Sequence, residues 1–93
     1  MAWLNKVTIG HPTDNSELVI QLDDRWSVTY VADELITHKF LTPLGSDREE
    51  YRFVNKKNDV EFRGDQTFAQ AGVKENGTVT VAIRAKSGRE YYG

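Results

Sequence analysis

The chain has 93 residues, of which 39% are hydrophobic and 28% charged, proportions typical of one globular domain. Its net charge of -2 and pI near 5.6 argue against nucleic acid as the main partner, because phosphate binding needs an excess of Lys and Arg. The absence of cysteine excludes disulfides, thiolate zinc sites and a cysteine nucleophile.

The N-terminal residues lack the apolar stretch of a signal peptide, and no run of apolar residues is long enough to span a membrane. We therefore expect a cytoplasmic protein that does not bind membranes. No repeat or linker interrupts the chain before its last eight residues. Residues 1–85 are predicted to form the domain, and residues 86–93 a flexible C-terminal tail.

Alternating side chains predict two strands at the N-terminus. The first covers residues 3–9, with Val7 and Ile9 on one face, and the second covers residues 17–23. The turn-forming residues 10–16 lie between them. We expect a hairpin.

After residue 26 the apolar period changes to that of an amphipathic helix. The apolar stripe consists of Val28, Val31, Ala32, Leu35, Ile36 and Phe40. Ser27 is the predicted N-cap. Pro43 is expected to end the helix, because the residue before a proline is pushed out of the helical region.

Three further strands are predicted at residues 51–55, 60–62 and 78–84, the last long enough to run centrally in a sheet. Thr67 and Gln70 have the spacing of a capping box, which predicts a short helical turn stopped by Gly72. This order of elements predicts a two-layer α+β domain in which one helix packs across a sheet.

The order of elements and two sequence stretches resemble the β-grasp fold of ubiquitin-like proteins over residues 4–84. Residues 64–81 are similar to the stretch in which a glycine turn and a short helical turn lead into the last strand. Residues 52–54 look like the strand that carries the hydrophobic recognition patch of ubiquitin. The resemblance implies a mixed sheet of four to five strands, one long helix across it, and a short helical turn before the last strand.

The C-terminus carries the functional part of the resemblance. In ubiquitin-like proteins the carboxylate of the terminal glycine is activated, and the corresponding residue here is Gly93. Arg84 stands where these proteins carry an arginine that activating enzymes recognise. Ubiquitin usually ends in Gly-Gly, whereas here Tyr91 and Tyr92 precede the single glycine. Such an end resembles divergent bacterial ubiquitin-like proteins whose operons also encode activating, conjugating and JAB-type peptidase homologues. Arg84, Tyr91 and Tyr92 are therefore the candidate tail-recognition residues.

This resemblance implies a monomeric modifier that is not itself an enzyme. Activating and conjugating enzymes join it to target amines through an isopeptide bond, and a JAB-type or other specific peptidase removes it. The activating enzyme uses ATP, so no cofactor and no metal are expected on this chain. A part in antiviral defence follows from the operons that the family occupies.

For non-covalent recognition we expect a small patch on the open face of the sheet. Val54 and Ala82 alternate away from the core positions and lie there with Arg52. Trp3 and Trp26 are the next candidates, because tryptophan is enriched at interaction hot spots. Partial burial beside the core explains both tryptophans equally well.

Other interpretations of the chain remain open. One is a non-covalent interaction module, similar to the small ubiquitin-like component of type VII secretion systems, for which Gly93 is irrelevant. Another is a sulfur carrier with a C-terminal thiocarboxylate, against which Tyr91, Tyr92 and the missing second glycine argue. Gly93 can also be an ordinary chain end, or the point at which a longer precursor is trimmed.

Overall fold

A computed structural model describes residues 3–86. Its elements are β1 (Trp3–Gly10), β2 (Glu17–Asp23), α1 (Val28–Thr37), β3 (Glu49–Asn55), β4 (Val60–Phe62) and β5 (Thr78–Ala85). The strands form one mixed sheet in the order β2-β1-β5-β3-β4. Strands β1 and β5 are parallel, and the other neighbours are antiparallel. The last strand therefore lies at the centre of the sheet, as its length and apolar alternation predicted.

The core lies between α1 and one face of the sheet. Each strand contributes alternate residues to it, because successive side chains of a strand point to opposite faces. Three aromatic side chains, Phe53, Phe62 and Phe68, meet at its centre with ring centroids 5.1 to 5.9 Å apart. All three are at most 2% exposed. They join the β3–β4 hairpin to the loop before β5.

The start of α1 is as predicted. The Ser27 hydroxyl oxygen accepts a hydrogen bond from the Tyr30 backbone N–H at 3.1 Å, which satisfies one of the free donors of the first turn. Four residues of the predicted apolar stripe are buried: Val28, Val31, Ala32 and Leu35. Ile36 and Phe40 are partly buried against the same core.

The predicted end of α1 is wrong. The helix stops at Thr37, and Phe40 lies beyond it. Lys39 adopts a left-handed conformation with φ of 66°, its N–H bonds the Ile36 carbonyl at 3.0 Å, and the Phe40 N–H bonds the Leu35 carbonyl at 2.9 Å. This pair of bonds is a Schellman motif. It closes the helix before the restriction imposed by Pro43 is reached.

The predicted capping box is present. The Thr67 N–H donates to Gln70 Oε1 at 2.9 Å, and the Gln70 N–H donates to Thr67 Oγ1 at 3.1 Å. One turn follows, closed by the Ala71 N–H on the Thr67 carbonyl at 3.1 Å. Gly72, with φ of +78°, ends it in a conformation that glycine adopts without strain.

Residues 3–86 contain neither a membrane-spanning helix nor a cluster of metal ligands. In this part of the chain, no helix combines the length and apolar character needed to cross a membrane. Nor do three or more His, Asp or Glu side chains of these residues come together as metal ligands do.

Candidate functional site

The three residues of the predicted partner-binding patch lie together on the open face of the sheet. Phe53 and Val81 are buried under α1, so the residues on either side of them in β3 and β5 point away from the helix. In the antiparallel register Arg52 stands opposite Ala82, and Val54 lies one step along the same face. All three side chains are partly exposed. The predicted placement of this patch follows from alternation alone.

Arg52 makes the patch more charged than the sequence suggested. Its guanidinium donates from Nε to Glu50 Oε2 at 2.7 Å, from Nη1 to Glu61 Oε2 at 3.0 Å and from Nη2 to the Ala85 carbonyl at 3.2 Å. Burial alone would lower the pKa of Arg52, but the hydrogen bonds from both carboxylates outweigh it and raise the pKa. Arg52 thereby ties β3 to both neighbouring strands, including the end of β5 from which the tail continues.

Arg84 shares one of these carboxylates. Its guanidinium lies 3.3 Å from Glu61 Oε1, and its side chain is 49% exposed. Burial would raise the pKa of Glu61, but the Arg52 hydrogen bond and the Arg84 charge and hydrogen bond hold it below its ordinary value. Arg63 completes the cluster through Glu50 at 3.3 Å. We call these five residues the open-face ion network.

On the open face of β3, β4 and β5 the apolar side chains are Val54 and Ala82, while Val19 of β2, which is 58% exposed, adds apolar surface to the same face beyond β1. Val54 and Ala82 share this part of the sheet with the two carboxylates and three guanidinium groups of the network. A partner that binds this part of the face therefore contacts mostly hydrogen-bond donors and acceptors of fixed orientation. Such contacts contribute more to orientation and specificity than to affinity.

The Glu61→Gln variant tests the electrostatic part of this description. The pKa of Glu61 is lower in the folded protein than its ordinary value of 4.5, so the ionised carboxylate stabilises the fold above that pH. This stabilisation is lost as the pH falls through the lowered pKa. We expect Glu61→Gln to cost about 1 kcal/mol near neutral pH and to flatten the decline of stability below pH 4.5, measured by urea unfolding over a pH series.

Glu49→Gln is the matched control, because Glu49 is an exposed glutamate of the same sheet outside the open-face ion network. It should leave both the stability and its acid dependence near those of the wild type. Equal acid dependence in Glu61→Gln and the wild type would contradict the role given to Glu61.

Arg84 lies close to the point where the chain leaves the sheet. It stands opposite Glu50 in the register, and Lys86, the first residue of the predicted tail, still donates its N–H to the Arg48 carbonyl at 2.8 Å. The other predicted tail residues, Tyr91, Tyr92 and Gly93, lie outside the described residues. Their roles stay predictions.

A second candidate surface was missed by the sequence reasoning. A groove of about 570 Å³ runs between β2 and α1, and we call it the β2–α1 groove. Its apolar lining consists of Leu18, Ile20, Trp26, Val31, Leu35 and Phe40, and its polar lining of Gln21, Glu34, His38 and Lys39. Leu18 and Ile20 alternate with polar residues as core positions do, but both are only partly buried. The sequence signal that could have indicated this groove is the number of large apolar residues in β2 and α1.

Exposed aromatic rings extend this groove at one end. Trp26 lines the groove, and its ring centroid lies 5.8 Å from that of Trp3 and 5.0 Å from that of Tyr30. Trp26 is partly buried against the core, while Trp3 is 51% and Tyr30 47% exposed. Of the two interpretations given to the tryptophans, partial burial therefore holds for Trp26, and Trp3 stays available for contact.

Comparison with known proteins rests on structure. No family sequence model matches the chain, and no curated protein matches it significantly in sequence. The ubiquitin of Caldiarchaeum subterraneum superposes with a TM-score of 0.62 at 20% identity, covering 90% of this chain and 98% of that one. The N-terminal ubiquitin-like domain of the 4931431F19Rik protein gives a TM-score of 0.61 at 19% identity, covering 91% and 79%.

The chain has the ubiquitin-like β-grasp fold. This confirms the predicted fold class, a mixed sheet with one helix packed across it. A β-grasp chain of similar size also occurs in the toluene 4-monooxygenase HD complex with 4-bromobenzoate, with a TM-score of 0.65 at 18% identity, covering 86% of this chain and 98% of that one. Similar structures thus occur in a ubiquitin and in a monooxygenase complex, so function has to be argued from the sites.

Proposed function

We propose that this β-grasp protein is a ubiquitin-like modifier that is joined to target amines through the carboxylate of Gly93. The observation that carries the proposal is the position of Arg84. It is half exposed at the end of the central strand, on the face that also holds Arg52 and beside the exit of the chain from the sheet. The shared fold with an archaeal ubiquitin over 90% of the chain supplies the rigid body that such a tail needs.

The chemistry requires no catalytic group on this chain. The Gly93 carboxylate attacks the α-phosphorus of ATP on the activating enzyme, which gives an acyl adenylate and releases pyrophosphate. A cysteine thiolate of that enzyme then displaces AMP to form a thioester, and thioester exchange carries the chain to the conjugating enzyme. A target lysine amine displaces the last thiolate, and the isopeptide bond forms. A terminal glycine suits these steps because the absence of a Cβ leaves its carbonyl open to attack.

The remaining features of the proposal come from the bacterial operon family that the tail resembles. The protein acts as a cytoplasmic monomer, without its own cofactor, metal or nucleic-acid partner, in a ubiquitination-like pathway linked to antiviral defence. Its partners are the activating enzyme, the conjugating enzyme, a JAB-type peptidase and the targets. Residues 1–85 form the body that they recognise, and residues 86–93 the tail that enters their active sites.

The test is intact mass spectrometry of an N-terminally tagged copy co-expressed with its genomic neighbours. Higher-mass species whose peptides carry a Gly93-to-lysine isopeptide bond support the proposal. Recovery of the unmodified chain alone, with active neighbours present, contradicts it.

A second candidate function is a non-covalent interaction module, favoured by the β2–α1 groove and the exposed Trp3 and Tyr30. Large apolar surfaces of this kind mark contact sites. The similar chain in the toluene 4-monooxygenase HD complex supports this second candidate. In the same co-expression experiment, a stable complex without a covalent bond would favour this function.

A further inference from the structure

A polar pocket lies where the end of β3 meets the start of β5. It has a volume of about 380 Å³ and is lined by residues 55–57 of the β3–β4 hairpin, by residues 72 and 74–77 of the following loop, and by Thr78. Its volume falls within the roughly 300 to 1,000 Å³ of small-ligand sites. We call it the β3–β5 pocket.

Hydrogen bonds within the domain fix the backbone around this pocket. The Lys56 N–H donates to the Thr78 carbonyl at 3.0 Å, which joins the end of β3 to the start of β5. Asn55 is only 2% exposed. Its Nδ2 donates to the Ala71 carbonyl at 3.0 Å, and its Oδ1 accepts from the Lys57 N–H at 3.1 Å. The pocket is therefore part of the folded domain and not a gap between loose turns.

The lining of the β3–β5 pocket is positively charged. It contains the exposed side chains of Lys56, Lys57 and Lys74. Glu75 is the carboxylate of this lining, and its Oε1 accepts a hydrogen bond from the Asn5 N–H at 2.7 Å. Three ammonium groups and one carboxylate give the lining a net charge of +2, in a chain whose own net charge is -2.

These lysines differ from most arginines of the protein. Within residues 3–86, none of the three forms an ion pair with a carboxylate. Ion pairs are formed instead by Arg25, Arg52, Arg63 and Arg84. Like charges placed together repel one another, and a bound anion would turn this repulsion into attraction.

The net charge of the lining indicates which anion fits. A phosphate monoester carries a charge of about -1.5 to -2 near neutral pH, whereas a carboxylate carries only one negative charge. Lysine binds phosphate as a point charge, and the Asn76 amide and Thr78 hydroxyl of the same lining are further donors. A long nucleic acid fits less well, because a chain of net charge -2 repels a polyanion.

We propose that the β3–β5 pocket binds a phosphate monoester through Lys56, Lys57 and Lys74. The phosphate is carried by a phosphorylated side chain of a partner protein or by a small phosphorylated molecule. This inference does not depend on Gly93, and it holds whether the chain is a modifier or a module.

The experiment titrates three phosphate probes into the ¹⁵N-labelled full chain at constant ionic strength. They are inorganic phosphate, AMP, and the acetylated and amidated peptide Gly-Ser-Gly with a phosphorylated serine. Each should give saturable shifts of the backbone amide signals of Lys57, Lys74 and Thr78. Tighter binding of the phosphopeptide would identify a phosphorylated side chain as the source, and tighter binding of AMP would identify a nucleotide. The peptide with glutamate in place of phosphoserine should bind at least about threefold more weakly.

Three variants test the charge argument with opposite expected signs. Lys74→Gln removes a cation of the lining and should weaken phosphopeptide binding about threefold. Glu75→Gln removes the carboxylate but keeps an oxygen for the Asn5 N–H, and should strengthen binding about threefold. A loss of structure would not produce such a gain. Arg48→Gln removes an exposed cation at the other end of β3, roughly 20 Å away along the strand, and should leave binding unchanged.

Four outcomes would overturn the proposal. The first is the absence of saturable shifts at the β3–β5 pocket with all three phosphate probes. The second is equal or tighter binding of the glutamate peptide, which would make a carboxylate the ligand. The third is an equal effect of Lys74→Gln and Arg48→Gln. The fourth is tighter binding of single-stranded oligothymidylate than of any monoester, which would make nucleic acid the occupant.

Discussion

Deletion of Gly93 is expected to abolish every higher-mass conjugate of the tagged chain while leaving its melting temperature near that of the wild type. Conjugation is lost because the next residue, Tyr92, would bring a bulky side chain to the carboxylate that must be adenylated. Stability is kept because the buried apolar core of the described residues lies between Leu4 and Val81. Intact mass spectrometry and thermal unfolding of the same preparations measure the two effects.

Arg84→Ala and Arg63→Ala separate tail recognition from general surface charge. Both arginines are about half exposed and pair with a carboxylate of the open-face ion network, but only Arg84 lies on β5, the strand from which the tail continues. We expect Arg84→Ala to lower the yield of conjugates and Arg63→Ala to leave it nearly unchanged. Undiminished conjugation in the Gly93 deletion, or equal effects of the two arginine variants, would contradict the proposed route.

The strands and the start of the helix could be predicted because their signals are local. Alternation over 17–23 and 78–84 and the hydroxyl of Ser27 each depend on a few neighbouring residues, and the structure confirms all three. The capping box of Thr67 and Gln70 is local in the same sense. Together with the resemblance to β-grasp proteins, these signals were sufficient for the fold class.

The features that were not predicted correctly depend on contacts between distant segments or on weak local preferences. The left-handed Lys39 ends α1 early, although lysine has no strong preference for that conformation. The charge on the open face arises because β3, β4 and β5 bring Glu50, Glu61 and Arg84 around Arg52. Strand order decides such contacts, and periodicity contains no information on strand order.

The same reason explains why the β2–α1 groove was not foreseen. Leu18 and Ile20 alternate as core residues do, and only the placement of β2 at the edge of the sheet leaves them partly exposed. A periodic apolar residue is buried only if a second layer extends over it. In this fold α1 lies across the sheet and leaves the groove beside β2 open.

Phe53→Ala is expected to cost about 3 to 5 kcal/mol of unfolding free energy. Phe53 is 0% exposed, and its ring centroid lies 5.9 Å from that of Phe62 and 5.4 Å from that of Phe68. Removing the ring leaves a cavity and breaks two of the three aromatic contacts that join the β3–β4 hairpin to the loop before β5. Because a domain of this size is stable by roughly 5 to 14 kcal/mol, urea unfolding should detect a large shift of the midpoint.

Phe53→Leu and Val60→Ala calibrate this result. Phe53→Leu keeps an apolar side chain in the core and should cost less unfolding free energy than Phe53→Ala. It can therefore still be measured if Phe53→Ala does not fold. Val60 lies in the same hairpin but is 41% exposed, so Val60→Ala should change the free energy by about 0.5 kcal/mol at most. A cost below about 1 kcal/mol for Phe53→Ala would mean that β3 presents its other face to the helix. Arg52 and Val54 would then be the buried residues, and the open-face site would not exist as described.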